Sequence, residues 1–402
     1  MRARLEALAR NRDKRPLLRA LRGSLRVPPA ADGPLDQHLL ATYRWLCAAQ
    51  DATADGGVAG FFDLWSGRWS ESYPETTGYI IPTFLSCAAA GIDAGARERA
   101  LRMADWSCQV QMDDGAVLSG LLGFCEGPAV FNTGQALFGW LAAYGESGDE
   151  RYAASARSAC EWLLSRQDAD GAWRRDLSRM TSAPVHTYNG RCGWALAYAA
   201  KVLGEPRFLE AARRTSDWVL EQQNDAGWFA HAGFFEDEVP LLHTVAYVIE
   251  GLVGVYAFSG ESRYLEGARR ALDPIAALYR EGRLGGRLDS TWRRTTSWRC
   301  VTGDAQIAVV LRRLERHCPG NGYAETAQRL IAEVAGVQRA LSGGTGLDDA
   351  GPATGGVPGS FPIWGQYMRF ALPNWAAKFY LDALLLQTAG VDEYGFPMLD
   401  GA

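Results

Sequence analysis

Side chains that can transfer protons stand at matching places in a long internal repeat. Gly78, Gly134 and Gly190 are spaced 56 residues apart, and Gly303 continues the series. The residues close to these marks and to Ala246 change type from copy to copy and include Glu75, Tyr79, Asn132, Gln135, Tyr188, Arg191, His243, Tyr247 and Asp304. A purely structural position would keep the same residue type in every copy of the repeat. Because the type changes at these positions while the surrounding repeat does not, we expect these side chains to surround one functional cavity.

Several of these residues suit acid–base chemistry, which needs groups that hold or release a proton. The candidate catalytic residues are Glu75, His186, Tyr188, His243 and Asp304. Aromatic and planar polar residues crowd the same loops, and such groups bind sugars by stacking and hydrogen bonding. The candidate substrate-binding residues are Tyr73, Asn132, Gln135, Asn189, Arg191, Trp298, Arg299, Trp364, Tyr367 and Trp375. The predicted partner is therefore an oligo- or polysaccharide.

This set of residues is compatible with four functions. A lyase or C5-epimerase removes the proton beside a uronate carboxylate and needs a base, an acid and a carboxylate neutraliser, roles that suit His243, Tyr188 and Asn132. An inverting glycoside hydrolase needs two opposed carboxylates, here Glu75 and Asp304. A terpenoid cyclase needs one acid in an aromatic cavity, and a non-catalytic glycan-binding protein needs only the groove. The first function is favoured, because His, Asn, Tyr and Arg outnumber the usable carboxylates.

Each candidate also has a purely structural interpretation. Asn132 suits a helix N-cap, and His186 and His243 could be core histidines with satisfied hydrogen bonds. Arg191 and Arg299 are expected to pair with the nearby acids more than with substrate.

The repeat that carries these residues predicts a helical hairpin. In residues 153–203, an amphipathic segment runs up to Gln167, and an almost wholly apolar segment begins at His186. The first predicts an outer helix and the second a buried inner helix. Outer helices are predicted near 36–49, 96–111, 152–167, 207–223, 263–280 and 323–341, and inner helices are predicted to start near Pro74, Phe131, His186, His243, Trp298 and Pro373.

Six hairpins of this size predict an all-α fold, an (α/α)6 barrel over residues 36–402. Residues 1–35 are predicted to form a basic N-terminal arm. The Gly/Pro-rich loop from Gly343 to Pro362 stretches the sixth hairpin and is predicted to be a lid or a rim.

Two segments resemble a known repeat. Trp162-Leu163-x-x-x-Gln167-x-x-x-Gly171-x-Trp173 is similar to the QW motif of squalene and hopene cyclases and prenyltransferase-like proteins, and Trp218–Trp228 is a looser copy. The resemblance implies a toroid in which the glutamine caps a helix end beside a packed tryptophan. The same scaffold occurs in (α/α)6 glycosidases, sugar epimerases and polysaccharide lyases, so it does not select a reaction.

Two further stretches bear on that choice. The D-x-D-D acid motif of the cyclases is missing from the sequence, and Asp348-Asp349 is only a pair. Ser72–Thr83 is similar to a segment of bacterial proteins associated with surface-polysaccharide genes.

Composition limits the partners and the compartment. The net charge of −5 argues against nucleic acid as the main partner. Residues 1–27 carry a balance of +7, which predicts either a solvated arm or a contact with an anionic membrane surface or a protein. Eight scattered cysteines and the lack of a signal peptide predict a cytoplasmic protein with reduced thiols. Nucleotide and metal motifs are missing, so no cofactor or metal is expected, and the sequence does not specify an oligomeric state.

Overall fold

The chain is described by a computed structural model. It covers residues 13–124, 126–315, 319–343 and 351–397, together with residues 6, 7, 9, 11, 317 and 347. The Asp348-Asp349 pair lies outside the described residues.

Within these ranges, the helices form two concentric rings after a short helix α1, Arg15–Gly23. The outer ring consists of α2 (Asp36–Asp51), α4 (Ala96–Gln109), α6 (Glu150–Arg166), α8 (Pro206–Glu221), α10 (Ser262–Arg280) and α12 (Tyr323–Leu341). The inner ring consists of α3 (Pro74–Ala89), α5 (Val130–Ser147), α7 (Gly190–Leu203), α9 (Leu242–Ser259), α11 (Val301–Leu314) and α13 (Asn374–Thr388). Each inner helix packs on the next, and α13 packs on α3, so the ring closes. The predicted (α/α)6 barrel is confirmed.

The apolar character of the inner helices follows from this position. Helix α9 is long and apolar enough to cross a membrane by length and composition alone, but 78% of it is buried in the barrel. A helix that packs on neighbours on every side must be apolar all round. The outer helices bury one face only, as in α10, where Tyr264, Ala268, Leu272 and Ile275 point inward.

The glycine marks lie where inner helices touch. A Cβ atom on Gly78 would overlap Ala136 of the next inner helix, and one on Gly134 would overlap Cys192. On Gly303 it would overlap the backbone at Leu242 and His243. These glycines therefore let the first turns of the inner helices approach closely around the barrel axis.

Glutamines at the ends of the outer helices join neighbouring hairpins. We call Gln50, Gln111, Gln167, Gln223 and Gln338 the interhairpin glutamines. Gln223 is typical, because its Nε2 donates to the carbonyl of Gly227 in its own loop at 2.9 Å and to that of Gly267 in the next outer helix at 2.8 Å. The resemblance implied that this glutamine caps a helix end; in the structure it instead bridges two hairpins, because Gly267 lies inside α10 and not at its end.

Two members of the series show how the ring is completed. Gln338 donates to Thr42 Oγ1 at 2.8 Å, which ties the last hairpin to the first. Tyr279 takes the glutamine position in the fifth hairpin, and its hydroxyl donates to Glu333 of α12 at 2.9 Å.

Short strands that the sequence did not indicate fix the rim of the barrel. Strand β1 (Phe61–Asp63) pairs antiparallel with β2 (Arg68–Trp69) and with β5 (Ala371–Pro373). Strand β3 (Arg299–Cys300) pairs with β4 (Ser360–Phe361). These pairings anchor both ends of the segment 360–373, which carries two of the predicted substrate-binding residues, Trp364 and Tyr367.

Helix α1 of the arm lies on the outside of the barrel. It packs against α12 and buries Leu17 and Ala20, while Leu18 and Arg22 are exposed. The division into an arm at 1–35 and a barrel at 36–402 remains a prediction. In the Gly343–Pro362 loop, the carbonyl of Pro352 accepts a hydrogen bond from Trp45 Nε1 at 2.9 Å.

The loop glycine after each interhairpin glutamine should contribute to the stability of the fold, as the glutamine does. Gly171 has φ of 93°, and a Cβ there would overlap the carbonyl oxygen of Arg214 in α8. Gly204 has φ of 70° with no atom near the Cβ position. Gly204→Ala should therefore cost about 1–2 kcal/mol from backbone strain alone. Gly171→Ala should cost ~1–3 kcal/mol more, because the methyl group forces two outer helices apart. Urea unfolding of both variants measures the difference, and equal costs would contradict the role of the close approach.

Candidate active site

A cavity of about 170 Å³ lies on the barrel axis where the first turns of the inner helices meet. We call it the central cavity. Seven of the predicted site residues line it, namely Tyr73, Glu75, Asn132, Tyr188, His243, Tyr367 and Trp375. Asn132 is not an N-cap as one interpretation held, because it lies inside the first turn of α5 and its Nδ2 donates to the carbonyl of Leu118 at 3.0 Å.

Glu75 is the one carboxylate among the described residues that line the central cavity. It lies in the first turn of α3, after Pro74, and its Oε2 accepts a hydrogen bond from the Tyr73 hydroxyl at 2.7 Å. Burial raises the pKa of Glu75 to about 7, although the Tyr73 hydrogen bond and the charge of Arg191 oppose the rise. Near neutral pH, a large fraction of the molecules therefore carries a proton on this carboxyl group.

His243 faces the same cavity from the first turn of α9, and its tautomer is fixed. Its Nδ1 is hydrogen-bonded to Oε1 of Gln306, an amide oxygen that can only accept. The proton must therefore be on Nδ1, and the lone pair is on Nε2. Burial lowers the pKa of His243 to about 3, so the ring is neutral at neutral pH.

The orientation of Gln306 is itself imposed from below the cavity. Its Nε2 donates to Glu250 Oε2 at 3.4 Å, and the same oxygen accepts a hydrogen bond from Arg191 Nε at 2.9 Å. Since the amide nitrogen must face the carboxylate, the amide oxygen must face His243. A buried ion pair thus determines which nitrogen of the histidine is basic.

Arg191 supports the site without lining it. Its side chain is fully buried, and Gln135 accepts a second hydrogen bond from its Nη1. The guanidinium lies within 6 Å of five aromatic ring centroids, those of Tyr79, Phe138, Trp194, Tyr247 and Phe379. Neither Arg191 nor Gln135 lines the central cavity, because both side chains belong to the network beneath it.

His186 also lies behind the cavity wall. Its Nδ1 donates to the carbonyl of Gly233 at 3.1 Å, and its Nε2 is 3.1 Å from Thr181 Oγ1. Its ring stacks on Tyr188 with centroids 4.5 Å apart. Burial lowers the pKa of His186 to about 4. Because both ring nitrogens have hydrogen-bond partners, His186 has a structural role: its ring packs behind Tyr188, which lines the cavity.

The remaining predicted residues lie elsewhere. Asp304, Arg299 and Trp364 line a second cavity, and Asn189 and Trp298 are buried in the packing. The expectation that Glu75 and Asp304 share one cavity is wrong. Asp304 and Gln306 are two positions apart on α11, a rotation of roughly 200°, so if Gln306 faces the axis then Asp304 faces outward.

Eight further residues line the central cavity, namely Tyr79, Phe131, Ser178, Met180, Thr181, Phe234, Tyr247 and Met368. From the sequence, only Tyr79 and Tyr247 of these were expected around a cavity, and none of them was assigned a role. Tyr79, Phe131 and Tyr247 stand at the repeat positions that carry the other site residues, so the repeat itself contained the signal. The others come from loops with no repeat. Gln306 and Glu250 could have been found as polar residues on otherwise apolar inner helices.

Metal ligands are not assembled here. Across the described parts of the chain, no group of three or more His, Cys, Asp or Glu side chains is arranged to hold a metal ion.

Comparison with solved structures establishes the architecture. The unsaturated glucuronyl hydrolase from Bacillus sp. GL1 aligns with a TM-score of 0.69 and 17% identity over 90% of this chain and 98% of that one. A D-mannose isomerase aligns with a TM-score of 0.65 and 14% identity over 89% of this chain and 99% of that one. The cellobiose 2-epimerase from Bacillus thermoamylovorans B4167 aligns with a TM-score of 0.64 and 11% identity over 85% of this chain and 95% of that one. This protein has their (α/α)6 barrel fold. Identities this low establish the fold alone.

Comparison of sequences gives a much shorter match. No protein-family model matches the chain. A copalyl diphosphate synthase from Streptomyces cyslabdanicus is 34% identical over 104 residues, which is 26% of this chain and 18% of that protein. The match thus spans less than a fifth of the synthase.

The buried proton on Glu75 should make the stability of the protein depend on pH. The folded pKa of about 7 lies above the usual 4.5, so folding binds a proton, and this contribution is fully present below about 4.5 and lost as the pH rises through 7. Glu75→Gln does not titrate, so its free energy of unfolding relative to the parent should rise by up to about 3 kcal/mol between pH 5 and pH 8.

The matched control is Glu98→Gln, an exposed glutamate in the first turn of α4. Its effect in urea unfolding should be small and the same at both pH values. A Glu75→Gln effect that is equally independent of pH would show that Glu75 is ionised in the fold.

Proposed function

We propose that the protein is a carbohydrate-active enzyme that moves a proton at C5 of a uronic acid residue, as a lyase or a C5-epimerase. The observation that carries this proposal is the pairing of a neutral His243, with its lone pair on Nε2, and a proton-bearing Glu75 in one cavity. Base and acid are already in the states that such a reaction requires.

The size of the central cavity favours the end of a sugar chain. Its volume of about 170 Å³ is well below the roughly 300–1,000 Å³ of pockets for drug-sized ligands. It therefore suits one ring, with aromatic walls from Tyr188 and Trp375 for the ring faces. This argues for a terminal residue as the reacting unit.

A negative substrate would adjust both groups in the useful direction. With a pKa of about 3, His243 is a weak base in the free protein. A uronate carboxylate beside it would raise that pKa toward the ordinary value, because an opposite charge favours the imidazolium. The same charge would raise the pKa of Glu75 and keep it protonated. An anionic sugar is therefore a better fit than a neutral one.

The reaction can be written with these groups alone. Nε2 of His243 takes the C5 proton, and the electron pair moves into the adjoining carboxyl group. In a lyase, the C4–O bond then breaks and the leaving oxygen takes the proton of the Tyr73–Glu75 pair, which gives a 4,5-unsaturated uronate and a new chain end. In an epimerase, that pair protonates the opposite face of C5 instead.

The proposed hydrolase pair loses its support. A hydrolase that uses Glu75 and Asp304 needs both carboxylates on opposite sides of one glycosidic bond. The two residues line different cavities.

A terpenoid cyclase is the second candidate. A protonated Glu75 among aromatic walls could protonate an alkene, and the synthase match adds weight to that possibility. The central cavity is small for a long prenyl chain. Cyclic products from linear prenyl diphosphates, with no proton exchange into uronates, would favour this candidate.

Proton exchange with heavy water tests the main proposal. Incubation with oligouronates should introduce deuterium at C5 or give an unsaturated, ultraviolet-absorbing product. His243→Gln and Glu75→Gln should each lower the rate by roughly 10²–10⁴-fold, because each removes one of the two proton-transfer groups. His231→Gln is the matched control, since His231 is an exposed histidine that does not line the central cavity.

The pH dependence gives the same test a second readout. The value of kcat/KM reports the free enzyme and should fall above pH 7 as Glu75 loses its proton. Both limbs of the kcat profile should lie at higher pH than those of the kcat/KM profile, because bound uronate raises the pKa values of His243 and Glu75. Proton exchange at C2 of neutral aldoses, and not at C5 of uronates, would indicate a neutral sugar as the substrate. Full activity of both the His243→Gln and Glu75→Gln variants would contradict the proposed function.

A further inference from the structure

A second cavity, the one that contains Asp304, has no role in the proposed reaction. This lateral cavity has a volume of about 560 Å³ and lies between α10, α12 and the residues 24–30 that follow α1. The segment 360–368 separates it from the central cavity, because Phe361 and Trp364 line the lateral side and Tyr367 and Met368 line the central side. The two cavities therefore share one wall.

The base of the lateral cavity is a preorganised polar cluster. Arg299 donates through Nη2 to Asp304 Oδ2 at 2.9 Å and through Nη1 to Glu333 Oε2 at 2.8 Å. Oδ1 of Asp304 is buried and has no hydrogen-bond partner among the described residues. Glu333 is partly exposed and can accept further hydrogen bonds. Carboxylates held in this way suit the hydroxyl groups of a ligand.

The rim of the lateral cavity is cationic and aromatic. Arg26 and Arg294 are exposed, and neither forms an ion pair with any carboxylate in the part of the chain that the structure describes. The indole of Trp364 is 40% exposed, an unusual state for tryptophan in this otherwise well-packed barrel. Free guanidinium groups bind carboxylates in a bidentate manner, and an exposed indole offers a flat surface for a sugar ring.

We propose that the lateral cavity binds an acidic oligosaccharide, with uronate carboxylates on Arg26 and Arg294, a sugar ring on Trp364 and hydroxyls on the Asp304–Glu333 cluster. This site rests on the proposed function for the identity of the glycan, but its residues are separate from the acid and the base. A chain that continues over the segment 360–368 reaches the central cavity, so the lateral cavity holds the polymer while its terminal residue reacts.

The combination of groups distinguishes this ligand from simpler ones. A free phosphate would match the two arginines but would face the carboxylates of Asp304 and Glu333. A neutral glycan would match the indole and the carboxylates and leave both guanidinium groups unpaired. An acidic glycan matches all three, and it gives the basic arm a ligand other than a membrane.

Calorimetric titration with tetragalacturonate tests the site. The titration uses the His243→Gln background, so that no turnover disturbs the binding. Arg26→Gln with Arg294→Gln should weaken binding about tenfold, since two charge-assisted contacts are lost, and Trp364→Ala should weaken it by a similar factor. Arg293→Gln is the matched control, because Arg293 is also an exposed arginine beside Arg294 but is ion-paired with Asp289. It should bind as the parent does.

The alternatives give different results. Cellotetraose should bind at least tenfold more weakly than tetragalacturonate, and inorganic phosphate should not compete. Equal binding by the double arginine variant and its parent overturns the lateral site, whether or not the enzyme turns over uronates. If the parent protein has no activity on any uronate but tetragalacturonate still binds in a way that depends on Arg26 and Arg294, the lateral site is supported and the proposed function is contradicted. Binding to phosphatidylglycerol vesicles that depends on Arg26, without binding of tetragalacturonate, would assign this surface to a membrane and overturn the proposal.

Discussion

Hydrogen bonds from one side chain at the end of each outer helix hold the ring of hairpins in register. The interhairpin glutamines bind a loop carbonyl of their own hairpin and a group of the next hairpin, as Gln223 does with Gly227 and Gly267. Gln338 completes the ring through Thr42. Because each bond fixes the position of one hairpin against the next, the six inner helices converge on one axis. The central cavity exists only while this ring is closed.

Inside that ring, the polar groups form one connected chain. Arg191 orients Glu250, Glu250 orients Gln306, and Gln306 fixes the tautomer of His243. Buried charges of this kind cost free energy unless they are paired, and here Arg191 is paired with Glu250 and surrounded by five aromatic rings. The result is a neutral histidine in the same cavity as Glu75, whose carboxyl group carries a proton in a large fraction of the molecules near neutral pH.

The sequence predicted the architecture well, because a 56-residue period constrains every hairpin at once. It also located Glu75, Asn132, Tyr188 and His243 at the central cavity, since they share a place in the repeat. It failed where the direction of a side chain mattered. Asp304 stands at the same repeat position as Arg191, yet it faces the lateral cavity. A period places a residue along a helix, but the rotation of that helix against its neighbours depends on packing that one sequence does not reveal.

The central claim is that a neutral His243, protonated on Nδ1, lines the same cavity as the acid Glu75. Nitrogen-15 NMR of histidine-labelled protein tests this most directly, with His243→Gln to assign the signal. Between pH 5 and pH 8, the account predicts a proton on Nδ1 and an unprotonated Nε2, with the tautomer lost in Gln306→Leu. A proton on Nε2, or an imidazolium at pH 6 in the free protein, would contradict the account.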